Sequence, residues 1–173
     1  MDKSSNNQAK ITFGLFAVYF VVLIWMILFK MQFSFSTLPH FRGLNLIPFA
    51  GSVTHDSRLN YIDAVLNFAV FIPFGLYLSM MKGSWPSWKK IMLIAGVSLL
   101  VELLQYLFEI GGTDITDLLS NTLGGAAGVG IYRMLSKILK EKTTATLNIL
   151  ALVGTIFVIT AGVLVSRVVT YRF

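Results

Sequence analysis

Cysteine is absent from all 173 residues, and charge is scarce. Without a thiol the chain can form no disulfide, no thiolate metal site and no cysteine nucleophile. Charged side chains make up 13% of the sequence, about half the share of an ordinary soluble domain. Only eight residues are acidic, so an acidic residue inside an apolar run stands out. No glycine-rich phosphate loop, serine-elbow motif or low-complexity tract is present. The two histidines, His40 and His55, do not have metal-ligand spacing, and nothing in the sequence implies a cofactor.

What the chain has in abundance is apolar residues, 55% of the total. A chain this short cannot hide them in one aqueous core, because about a third of a small domain's surface stays exposed on folding. A bilayer span needs about 20 mostly apolar residues, and five runs qualify: Ile11 to Phe29, Ile62 to Met81, Ile91 to Ile110, Ile115 to Leu135 and Leu147 to Ser166. In lipid only helices or a closed barrel satisfy the backbone, and these runs lack barrel alternation. The expected fold is therefore all-α, a polytopic membrane bundle of about five transmembrane helices. The first run is too long for a signal-peptide core, and Lys30-Met31-Gln32-Phe33 stands where a cleavage site would be, so it is read as a retained helix.

The net charge of +6 is best read loop by loop. With the N-terminus cytoplasmic, Lys3, Lys10, Lys82, Lys89, Lys90, Arg133, Lys137, Lys140 and Lys142 fall inside, nine of the 14 basic residues. That bias fits the positive-inside rule. It explains the basicity by anionic lipid headgroups rather than nucleic acid. The expected location is the cell membrane, with several crossings.

Residues 1–10 are polar and read as a disordered cytoplasmic tail. Residues 11–135 hold four helices and an outer loop, 31–60, whose aromatics suit the headgroup region. Within that loop Asn45 to Phe49 has an extended bias before Pro48 and reads as a re-entrant or lid element. Residues 146–173 form a fifth helix and a short outer tail. Pro73 is expected to kink the second helix, and Trp85 and Trp88 to anchor an interface. The fourth helix carries Gly124 and Gly128, a small-xxx-small pair that admits another backbone. It is expected at the centre of the bundle, with the glycine pair also able to join two copies of the chain.

The stretch from Val101 to Gly125 sets Glu102, Gln105, Asp114, Asp117 and Asn121 into apolar surroundings, where each needs a partner or a task. Glu102 and Gln105 share one helix face. Asp114 and Asp117 stand where an N-cap and a first-turn acid belong, after the helix-breaking Gly111-Gly112. At 1.5 Å per residue, Asn67 lies about 9 Å, Glu102 and Asn121 about 12 Å, and Gln105 and Asp117 about 6 to 7 Å below the same outer surface. All fall in one half of the bilayer. The sequence reading is an outward-facing polar cavity lined by Glu102, Gln105, Asp114, Asp117, Asn121, Asn67 and Asn45, with Arg42 and Arg58 as counter-charges. A lone protonated Glu102 bonded to a neighbouring helix is the structural alternative.

Several motifs resemble the VanZ family. They are Leu23-Ile24-Trp25, Leu44-Asn45-Leu46 with Pro48-Phe49, Phe71-Ile72-Pro73-Phe74-Gly75, Glu102 with Gln105, and Thr113-Asp114-Ile115-Thr116-Asp117 followed by Asn121-Thr122 and Gly124-Gly125. The similarity runs from about Val18 to Tyr132. It implies an integral membrane protein that lowers susceptibility to teicoplanin-type lipoglycopeptides. A lipoglycopeptide or a lipid-linked cell-wall precursor then becomes the expected partner, alongside membrane lipid.

Two mechanisms stay open on the residues: a non-enzymatic factor with an outer binding cavity, or an intramembrane enzyme using Glu102 with Asp114 or Asp117 as acid and base. A transporter is disfavoured, because its path needs polar groups at several depths.

Overall fold

The computed structural model describes residues 3–28, 41–48 and 57–170. The elements in order are helix α1 (Lys3–Leu28), strand β1 (Phe41–Asn45), helices α2 (Ser57–Met81) and α3 (Ser87–Phe108), strand β2 (Ile110–Asp114) and helix α4 (Ile115–Leu139). A single 3-10 turn (Lys140–Lys142) then leads to helix α5 (Thr143–Thr170). Among the described residues four helical stretches are long and apolar enough to cross a bilayer: Asn6–Leu28, Tyr61–Met81, Ser87–Phe108 and Ile115–Thr160. The last contains α4, the turn and part of α5, and Lys140 breaks it with a backbone φ of 50°. The polar segment expected to be disordered at 1–10 is instead helical from Lys3. A helix already nucleated by the apolar run extends at little cost through Ser, Asn and Gln.

Large apolar side chains such as Val21, Val65, Leu107 and Phe157 face outward, as lipid-facing residues should. The core is small: Leu23 and Ile27 from α1, Phe71, Phe74 and Leu78 from α2, Ile94 and Val101 from α3, and Val129 from α4. Between α1 and α2 it is aromatic, with Phe16 stacked on Phe74 at 6.0 Å and Tyr19 against Tyr77 at 5.4 Å. Helix α2 runs unbroken through Pro73. Proline cannot donate to the carbonyl of Ala69, and the next carbonyl, that of Val70, accepts the Tyr19 hydroxyl at 2.7 Å.

The most extensive contact joins α2 and α4. A Cβ on Gly124 would collide with the Phe68 carbonyl, one on Gly128 with the Ile72 carbonyl, and one on Gly75 with the Gly125 carbonyl. Contacts that advance together along both helices make the pair parallel. Two expectations change here. Gly124 and Gly128 are filled by α2 of the same chain, so that pair offers no free face to a second copy. Nor is α4 ringed by all the others: α1 packs on α2, α3 and α5, drawn by the aromatic face of α2, and α2 shares the centre with α4.

Helix α3 runs antiparallel to α4, with Ile94 against Gly125 and Ser98 bonded to Asn121. Helix α3 ends at Glu109, whose left-handed backbone (φ 59°) directs its N–H to the carbonyls of Gln105 and Tyr106. The chain then enters β2. Strand β1 pairs with it in parallel, from Phe41 beside Ile110 to Asn45 beside Asp114. This small sheet caps one end of the bundle. The opposite end gathers the turns at 82–86 and 140–142 and the start of α1, where Asn148 of α5 donates to Gln8 Oε1 at 2.8 Å.

Candidate functional site

The sheet end is where the polar residues of the α3–β2–α4 segment meet. Glu102 lies on the inward face of α3 and is 1% exposed. The left-handed turn at Glu109 folds β2 back over that face. As a result, Oε2 of Glu102 accepts the backbone N–H of Asp114 at 3.0 Å, and the Thr113 hydroxyl donates to the Glu102 carbonyl at 3.1 Å. Asp114 is the N-cap of α4: its Oδ1 accepts the Thr116 N–H at 2.8 Å. Its Oδ2 accepts Nδ2 of Asn45 at 3.1 Å, which ties β1 to the start of α4. The Asn45 side chain also turns its own strand end, its Oδ1 accepting from the Ile47 N–H at 3.3 Å.

Glu102, Asp114 and Asn45 thus form one connected group. A buried carboxylate is tolerable when it accepts backbone N–H bonds, and a cap carboxylate is favoured by the positive end of a helix. Asp117 follows half-buried in the first turn of α4.

The remaining candidates are distributed rather than pooled. Gln105, 1% exposed, donates to the Ile27 carbonyl at 2.9 Å and so links α3 to α1. Asn121, fully buried, donates to the Ser98 hydroxyl at 2.9 Å and links α4 to α3. The other side-chain oxygen of each, Oε1 of Gln105 and Oδ1 of Asn121, is a buried acceptor with no hydrogen-bond partner. Asn67 is half-buried on α2 and makes no hydrogen bond among the described residues. Arg42 belongs to β1, opposite Gly111, and Arg58 to the first turn of α2. The side chains of both lie outside the described residues, as do His40, Phe49 and His55.

Two contributors escaped the sequence reading, Ser98 and Thr113. Ser98 had a signal: it stands four residues before Glu102, on the same inward face. Thr113 was visible only as part of the Thr113-to-Asp117 motif, and its bond to Glu102 depends on the turn that precedes it. Chemically the arrangement offers a buried carboxyl group on α3 bonded to the backbone of the residue whose own carboxylate caps α4, a strand edge and two buried acceptors along α3 and α4.

The VanZ/LLP1 family profile matches residues 16–137. The chain is 37% identical over 131 residues to a protein of Enterococcus faecium, "Protein VanZ", an alignment that covers 75% of this chain and 78% of that one. No solved structure matches. The family match runs from within α1 to near the end of α4 with both strands, so it includes Glu102, Asp114 and Asn45.

Proposed function

The chain belongs to the VanZ/LLP1 family, and from that premise we propose that it lowers susceptibility to teicoplanin-type lipoglycopeptides as a non-catalytic factor of the bacterial plasma membrane. In this reading the sheet end faces outward. There the group around Glu102 binds either the lipid-anchored drug or the lipid-linked wall precursor that the drug recognises.

The observation that carries it is the Glu102 carboxylate. It is buried, and it holds the N–H of Asp114 at 3.0 Å at the end of the bundle where β1, β2 and α4 converge. The basic turns at the other end support the orientation, because short cytoplasmic loops are the ones enriched in lysine and arginine.

The enzymatic reading draws on the closeness of Glu102 and Asp114. Against it, both oxygens of Asp114 are already committed, one to the Thr116 N–H and one to Asn45. A general base must reach the proton it removes, and a carboxylate so engaged is a cap and a clamp. Asp117, in the first turn of α4, is the other acid that this reading names.

The test is a susceptibility assay in a sensitive host expressing wild type, Glu102→Gln or Asp117→Asn, with membrane levels checked by immunoblot and with teicoplanin compared against vancomycin. Glu102→Gln keeps an oxygen for the Asp114 N–H and removes the acid. It is expected to insert normally and lose most protection against teicoplanin. Equal protection from all three proteins would remove this group from the mechanism.

A further inference from the structure

The basic end holds a second polar cluster, unconnected with the site above. Lys90 begins the buried row of α3 that continues through Ile94, Ser98 and Glu102. It is 5% exposed. Its neighbour Lys89 behaves differently, with its ammonium over the Trp88 ring at 5.5 Å, as Lys82 lies over Trp85 at 5.4 Å. One residue along a helix is a turn of about 100°, so Lys89 stays at the surface while Lys90 enters the bundle. Among the described residues the ammonium of Lys90 meets no carboxylate and no helix-end carbonyl. Arg133 of α4 lies close enough to repel it. Glu141, in the turn after α4, is exposed and pairs with neither.

Two hydroxyls lie at the same level. Ser79 extends the face of α2 that meets α4 through Phe68, Ile72 and Gly75; it is fully buried, and its Oγ has no hydrogen-bond partner. A helical serine can return its hydroxyl to the carbonyl four residues back, and Ser79 does not. Ser87 opens α3, and its Oγ is likewise buried without a partner. Register brings the four groups to within about one helical turn of each other. Gly75 meets Val129, so Ser79, one turn on, is level with Arg133; Ile94 meets Gly125, so Lys90 is level with Val129. The N-terminus of α3 itself has Pro86 as cap, no side-chain cap bond and no acid in its first turn. Its free N–H groups and dipole favour an anion.

Two cations that meet no carboxylate among the described residues, two idle hydroxyl donors and an uncapped helix start form a donor set for a multi-oxygen anion. We propose that Lys90, Arg133, Ser79 and Ser87, together with the N-terminus of α3, bind a phosphate group at the basic end of the bundle. An anionic phospholipid of that leaflet presents such a group, and so does free phosphate.

Thermal unfolding of the full chain in vesicles tests this, with phosphatidylcholine alone, with phosphatidylglycerol added, and with inorganic phosphate added to phosphatidylcholine. Wild type melts higher with phosphatidylglycerol. Lys90→Met loses that rise, whereas Lys89→Met, which removes the same charge from a side chain resting on Trp88, keeps it. A Lys90-dependent rise with inorganic phosphate as well identifies free phosphate as a ligand; a rise with the lipid alone identifies the headgroup. Ser79→Ala and Arg133→Gln each weaken the half-maximal lipid effect about tenfold, the loss of one charge-assisted hydrogen bond. These two variants decide the matter should Lys90→Met fail to insert. No rise for wild type in either arm, equal loss in Lys89→Met and Lys90→Met, or an unchanged response in both Ser79→Ala and Arg133→Gln overturns the site.

Discussion

Asn121 shows how a single amide can hold two membrane helices at a fixed height. Its Nδ2 donates to Ser98 at 2.9 Å in a fully buried position. Removing one partner leaves a buried donor stranded, whereas removing both leaves only an apolar contact. Ser98→Ala is therefore expected to destabilise the purified protein by about 1 to 3 kcal/mol. Adding Asn121→Leu to that variant should restore most of the loss. Thermal melts of the two single variants and the double in one detergent measure the coupling, and strictly additive melts would show that the pair is not a bond.

The polar residues were legible as exceptions, since asparagine, glutamine and glutamate are costly in apolar runs. Their partners were less so. The acceptor for Gln105 is the backbone carbonyl of Ile27, 78 positions away, and a carbonyl carries no residue signature.

At the scale of elements, the contact between α2 and α4 depends on the missing side chains of Gly75, Gly124 and Gly128. At Gly124 a methyl group would meet the backbone of Phe68 rather than a flexible side chain, so neither helix can yield locally. Gly124→Ala is expected to cost about 3 kcal/mol or more, at the upper end of overpacking effects, and to lower the yield of folded protein. Gly14→Ala is the control, because nothing lies within 4 Å of its Cβ position. It should be neutral or slightly stabilising. Size-exclusion profiles and melting temperatures of both variants check this.

The helices themselves were readable from run length and hydropathy, and the glycines from their spacing. Strands β1 and β2 were not. Each has five residues, too short to establish a period, and their pairing spans from Phe41 to Ile110. Gly111-Gly112 do separate two helices, as their helix-breaking character implies, but that they and Asn45 belong to one sheet was not readable.

For the whole molecule, the decisive property is the separation of its two ends. The sheet and the Glu102 group occupy one; the lysine-rich turns and the start of α1 occupy the other. Because the chain contains no cysteine, each introduced thiol is a unique reporter. Leu46→Cys, beside the sheet and exposed, is expected to react with a membrane-impermeant maleimide in intact cells. Ser84→Cys, exposed in the basic turn, should react only after permeabilisation. The reverse pattern would put the Glu102 group in the cytosol and end the proposed role in drug protection.

The parallel pairing of β1 with β2 has a consequence for biogenesis. When residues 41–45 leave the ribosome, their partner strand has not been made, and two complete helices must pass through the translocon before it appears. The earlier strand therefore waits unpaired, and the sheet is the last part of that end to lock. A nascent chain arrested before Ile110 should expose this region to added protease, and one released after α4 should protect it.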